Sequence, residues 1–257
     1  MQGRKNKIKI LSPFVFIIFL LFSLSGCAYY VKKAPVPLKS GNVIYKSRNE
    51  VLKGLAKNYG HFKGMSGRFT MTATGKGFSF EESGLYKYIK GKYVKFIILN
   101  IYGNILFYVK LFQGDDRVVF LNPKSKKLKI LNLNKKYRGK ILFYERLFGV
   151  LEIFLNLDSL DKIRKADVFY NTYGGFFFEY HSRDNNEKDN TYYIYVSKNY
   201  LINRITIARH EKMIETVYFK NYILKDGSMV PLKIYVDDYL YNVKIKVGIS
   251  KGSVIIR

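Results

Sequence analysis

The 257-residue chain carries 45 Lys and Arg against 19 Asp and Glu, a formal charge of +26. A single cysteine excludes an intramolecular disulfide, and the length suits one β-rich domain with a leader, or at most two small domains. The charge has two open explanations: the Lys, Asn, Ile, Tyr and Phe bias of AT-rich genomes, or attraction to an anionic membrane surface or acidic partner.

Arg4, Lys5, Lys7 and Lys9 precede an unbroken apolar run from Phe14 to Phe22, and Ser25 and Gly26 follow. Positive start, apolar core and small residues form the pattern of an export signal. The run is shorter than the about 20 residues that cross a bilayer. Leu24-Ser25-Gly26-Cys27 resembles the bacterial lipobox, in which cleavage precedes the cysteine and its thiol takes a diacylglycerol. Residues 1–26 are therefore expected to be a lipoprotein signal peptide and Cys27 a lipid anchor. Several acyl chains together hold a protein where one does not. Ala28, rather than Asp, favours the periplasmic face of the outer membrane. No nucleic-acid partner is expected for such a protein, and no recognition motif is present.

Residues 27–45, with Pro35 and Pro37, read as a lipidated linker to a domain spanning 46–257. Ser47-Arg48-Asn49-Glu50 forms a capping box. Val51, Leu52, Leu55, Ala56 and Tyr59 then recur at helical spacing before Gly60, so a helix is predicted over 48–59. From Ser66 the period changes to two. Strands are predicted over 66–74, 78–90, 93–99, 105–112, 118–121 and 128–133, joined by hairpin-length turns. The segment 141–163 lacks alternation and predicts two short helices, at 140–149 and 159–165, joined by apolar Leu151–Leu157. Asp158 is placed to cap the second. Period two returns over 176–181, 192–196, 202–210, 213–219, 230–236 and 239–249. About eleven antiparallel strands result, with no internal repeat.

One side of the early strands is continuously apolar. Phe69, Met71, Val94, Phe96, Ile98, Ile105, Phe107, Val109 and Leu111 define it. Two readings stay open: a packed core, or the wall of a curved sheet around a lipid cavity. Between the third and fourth strands, Asn100, Gly103 and Asn104 are turn formers, but Ile101 and Tyr102 are apolar residues at a tip that should face water.

No chemistry nominates itself. His61, His181 and His210 are isolated, so no metal site is expected. Neither a nucleophile elbow nor a phosphate loop is present. Asp115, Asp116, Asp237 and Asp238 sit in turn-like contexts, and Glu81 and Glu82 read as an edge charge. A non-enzyme without a cofactor is expected.

The order of elements over residues 48–250, the strand opening Gly67-Arg68-Phe69-Thr70 and the late Val230-Pro231-Leu232 resemble the LolA/LolB superfamily of lipoprotein carriers and acceptors. The lipobox places the chain nearer the LolB-like outer-membrane receptors. The resemblance implies an α+β fold, an open antiparallel half-barrel with a lid of short helices at 141–165 over an apolar cavity. It implies acyl chains as ligand, a LolA-like periplasmic carrier as partner, and a monomer. LolB-like receptors carry a protruding Asn-Pro-Leu-Gly loop whose Leu meets the membrane; Asn100-Ile101-Tyr102-Gly103 matches it at Asn100 and Gly103. Tyr102 stands where the family has Leu, and tyrosine prefers the interface to the hydrocarbon. A lipid- or glycolipid-binding lipoprotein and a solid-cored structural lipoprotein are the alternatives.

Overall fold

The computed structural model describes residues 43–112, 117–122, 127–132, 159–182 and 189–256. The signal peptide, Cys27, the linker before residue 43, the helix expected at 140–149 and the apolar segment 151–157 lie outside the described residues.

Helix α1 (Arg48–Tyr59) forms where its capping box predicts. The Ser47 amide donates to Glu50 Oε2 at 2.8 Å, and the Glu50 amide donates back to Ser47 Oγ at 3.3 Å. This reciprocal pair satisfies two of the amide donors that a helix start leaves unpaired. Val51, Leu55 and Tyr59, one turn apart, are its buried stripe.

Six strands follow as a meander: β1 (Gly64–Gly75), β2 (Phe78–Ile89), β3 (Tyr93–Leu99), β4 (Ile105–Phe112), β5 (Arg117–Asn122) and β6 (Lys127–Asn132). Helix α2 (Ser159–Arg164) opens the second half. A second meander comprises β7 (Val168–Thr172), β8 (Gly175–His181), β9 (Asn190–Ser197), β10 (Ile202–Arg209), β11 (Lys212–Lys225), β12 (Ser228–Asp238) and β13 (Val243–Ile249). A 3-10 turn (Lys251–Ser253) and the short β14 (Ile255–Ile256) complete it.

All fourteen strands belong to one sheet, ordered β6-β5-β4-β3-β2-β1-β13-β12-β11-β10-β9-β8-β7, with β14 paired to β1. The two meanders join where β1 runs antiparallel to β13 from Phe69↔Ile249 to Gly75↔Val243. Among the described residues β6 and β7 are left as edges, so the half-barrel is open.

Two of the described strands go beyond the stretches read from the sequence, for local reasons. β7 and β14 are 5 and 2 residues long, too short to show a period. β13 starts at Val243, not Tyr239, because the Tyr241 amide donates to Asp238 Oδ1 at 3.0 Å and turns the chain. Asp238 is thus a turn former, whereas Asp237 sits within β12, opposite Lys244.

The inward face is one apolar cluster. Phe69 and Met71 of β1, Phe96 of β3, and Ile245 and Val247 of β13 pack with Val51 and Leu55 of α1 and Leu160 and Ile163 of α2. Burying one such side chain fully is worth about 1.5–3 kcal/mol.

Candidate functional site

The inward face is where the sequence places a ligand. Phe69, Met71, Val94, Phe96, Ile98, Val109 and Leu111 are all buried there. Phe69 meets Phe96 edge-on, ring centres 5.3 Å apart. Ile105 departs from the expectation. A bulge between Ile98 and Leu99 pairs Ile98 with Phe107 but Leu99 with Ile105. One extra residue shifts the alternation by one, so Ile105 turns outward and is 45% exposed. The side chain of Phe107 lies outside the described residues.

Both described helices cover this face, and polar pins hold them. Arg48 Nη2 of α1 donates to the carbonyls of Ile163, Arg164 and Ala166 at 3.4, 2.9 and 2.8 Å, at the C-terminal end of α2. A guanidinium there satisfies carbonyls the helix leaves open and meets the negative end of its dipole. Asn58 Nδ2 donates to the carbonyls of Asn199 and Tyr200. The Ile202 amide donates to Tyr59 Oη at 3.1 Å, and Tyr222 Oη donates to the Ile202 carbonyl. Burial raises both phenols above their ordinary value. The gap among Tyr59, Phe62, Met65, Met229, Val230 and Pro231 measures about 10 Å³. That is room for about one water, not for an acyl chain. Glu82 is the inward face's carboxylate neighbour: it lies opposite Met71, and desolvation raises its pKa.

The hairpin tip closes on itself. The Asn100 amide donates to the Asn104 carbonyl, and the Gly103 amide to the Asn100 carbonyl, both at 2.9 Å. Asn100 Oδ1 accepts from the amides of Tyr102 and Asn104 at 3.0 and 2.8 Å. Gly103 holds φ at +80°, a region a side chain would strain. The turn therefore needs nothing from Ile101 and Tyr102, which are 92% and 81% exposed.

Beside the tip lies a feature that sequence reading missed. On the outward face Leu99, Ser83, Thr70, Gly248 and Lys233 stand directly opposite one another across β3, β2, β1, β13 and β12. They form the floor of an open trough of about 780 Å³. Leu85, Leu99 and Ile101 line one end, and Lys233 and Asn221 the other, with Arg68 and Lys251 beside the floor. The Ser250 amide donates to the Arg68 carbonyl and the Arg68 amide to Ser253 Oγ, which fixes the turn carrying Lys251 against β1. Two rows further along the same face, Lys87, Lys95 and Lys110 stand opposite one another on β2, β3 and β4. Lys110 Nζ lies 4.3 Å from the ring centres of both Tyr93 and Phe112. No local sequence signal joins these residues, because each strand contributes one and the strands are far apart in the chain.

Among the described residues no group of three His, Cys, Asp or Glu side chains comes together as a metal site, and no helix is long and apolar enough to cross a membrane. His181 Nε2 faces Glu179 at 3.3 Å and its Nδ1 faces Thr191 Oγ1 at 3.1 Å. His210 has a positive φ in the β10–β11 turn.

No family model and no curated protein matches the sequence. Solved structures do match the fold. A DUF1329 family protein from Desulfovibrio piger superimposes with a TM-score of 0.58 at 11% identity, over 81% of this chain and 91% of its own. The LolA superfamily protein NE2245 from Nitrosomonas europaea gives 0.54 at 9%, over 83% and 94%. A domain from Vibrio parahaemolyticus, described as an outer membrane lipoprotein-sorting protein, gives 0.53 at 14%, over 82% and 94%. The chain has the LolA-like fold: an open antiparallel half-barrel with short helices on its inward face.

Proposed function

We propose that this LolA-like half-barrel is a lipid-anchored acceptor of lipoproteins on the periplasmic face of the outer membrane. Cys27 is the anchor, and residues 27–45 are the tether. A LolA-like carrier delivers acyl chains, and the chain works as a monomer without a catalytic step. One observation carries the reading: an unbroken inward apolar face, lined by Met71, Phe96 and Ile98 and covered by helices, in the fold of a lipoprotein-sorting domain. Acyl chains replacing helix side chains on that face lose no apolar contact, so transfer needs only a gradient of affinity. The segment 141–165 serves as the lid in this reading.

The tip is the membrane contact. Ile101 and Tyr102 give an aliphatic and an interfacial side chain at the point of the hairpin, and Asn100, Gly103 and Asn104 hold the turn. Replacing Ile101 and Tyr102 by Ser should change stability by no more than about 0.5 kcal/mol and impair delivery of lipoproteins into vesicles. A large loss of stability would show instead that the pair packs in solution. Depletion of the protein should mislocalise other lipoproteins, and normal sorting without it would falsify the acceptor role.

A second reading rests on the cationic outward face: a phospholipid- or glycolipid-binding lipoprotein of the same fold. Mass spectrometry of copurified material separates the two, since acylated protein favours the first and free lipid alone the second.

A further inference from the structure

We infer that the outward trough beside the tip is a binding site for the anionic headgroup of a membrane phospholipid, whose acyl chains stay in the bilayer. The inference rests on the membrane-contact reading of the tip and names the lipid that the contact recruits.

Three observations converge. The trough is graded along its length: Leu85, Leu99 and Ile101 at the tip end, the hydroxyls of Ser83 and Thr70 in the middle with Arg68 and Lys251 beside them, and Lys233 beyond. Five strands set about 4.8 Å apart make it about 19 Å long, the scale of a headgroup with its glycerol and first methylenes. A headgroup entering from the bilayer meets its own polarity at each step. The floor is bare because Gly248 stands between Thr70 and Lys233, and even a methyl there would come to 3.0 Å from Thr70 Oγ1.

Charge supplies the second observation. Arg68, Lys233 and Lys251 line the trough, and none of its lining residues is a carboxylate. Lys233 also stands directly opposite Lys220 on β11. Like charges facing across strands destabilise a sheet, so this arrangement costs stability unless an anion joins it. The third is continuity: Lys87, Lys95 and Lys110 repeat the same like-charge opposition on the same face, four residues further from the tip along β2 and β3. With Ile101 at the interface, both cationic rows come within reach of lipid phosphates rather than hydrocarbon.

The absence of tryptophan from the chain gives a clean reporter. The full chain carrying Leu99→Trp, reconstituted in phosphatidylcholine vesicles with increasing phosphatidylglycerol, should show emission that shifts to the blue as phosphatidylglycerol rises. Arg68→Gln, Lys233→Gln and Lys251→Gln together should weaken binding at a given phosphatidylglycerol content by about a hundredfold, at about fivefold per cation. These three side chains are exposed, and thermal melting confirms that the variant is folded. Emission indifferent to phosphatidylglycerol, or equal dependence in the triple variant, overturns the headgroup site. A parallel Tyr102→Trp chain separates the two failures. If its emission responds to vesicles while Leu99→Trp ignores phosphatidylglycerol, the site alone is wrong. If neither responds to any vesicle, the tip contact is wrong and the site falls with it.

Discussion

Glu82 shows how one side chain couples the inward face to pH. It stands opposite Met71, and desolvation raises its carboxyl above the ordinary 4.5. The folded state therefore favours the protonated form. That contribution is complete below the ordinary carboxylate value and is lost as pH rises through the raised value. Glu82→Gln should match the parent in urea unfolding near about pH 4 and exceed it near about pH 7. A variant less stable at both values would show that the charged carboxylate has a favourable partner. The sequence hid this role. Glu81 and Glu82 read alike as an edge charge, and only the pairing register shows that Glu82 shares the side of Tyr86 and Tyr88 while Glu81 shares that of Leu85.

Helix α1 was legible almost to the residue, because its start signal is local chemistry among Ser47, Glu50 and the backbone. What it packs against was not. Gly54 reads as a weak helix residue, and Ala would gain about 1 kcal/mol of propensity. A Cβ at Gly54 would stand 2.4 Å from the Tyr200 ring, however, and Tyr200 is held at φ +59° and stacked on Phe176. Packing wins over propensity, and Gly54→Ala should lower the unfolding midpoint. The companion test is Arg48→Met, which keeps the aliphatic stem but takes the guanidinium away from the Arg164 and Ala166 carbonyls, while that of Ile163 keeps the Ala166 amide. A loss of about 1–3 kcal/mol is expected. Hydrogen exchange should rise first in Ser159–Arg164, and uniform loosening would show that Arg48 acts elsewhere.

On the scale of the whole molecule, the described sheet joins its halves at β1, which pairs with β13 and, near its start, with β14. Val247 is 2% exposed at this junction, paired with Met71 on one side and Ile234 on the other. Val247→Ala should cost about 1–3 kcal/mol and leave a single transition by far-ultraviolet dichroism and tyrosine fluorescence. Two separated transitions would mean that the meanders fold independently. Strand order within each meander was readable, since consecutive hairpins need only a period of two and turn formers. The junction was not, because no local signal marks which edges meet. The same limit hid the trough, assembled from strands of both halves, and the bulge that turns Ile105 outward. The tip was readable in the opposite sense: Ile101 and Tyr102 broke a local rule, and the structure shows the turn closing without them.

The junction also sets the order of events at birth. Phe69 of β1 meets Ile249 only after 180 more residues are made. At about 5–20 residues per second, the ribosome leaves β1 waiting for about 10–40 s with one side unclaimed. The strand that completes the inward wall is thus among the last to be made, and until it arrives the nascent chain depends on β1 staying soluble.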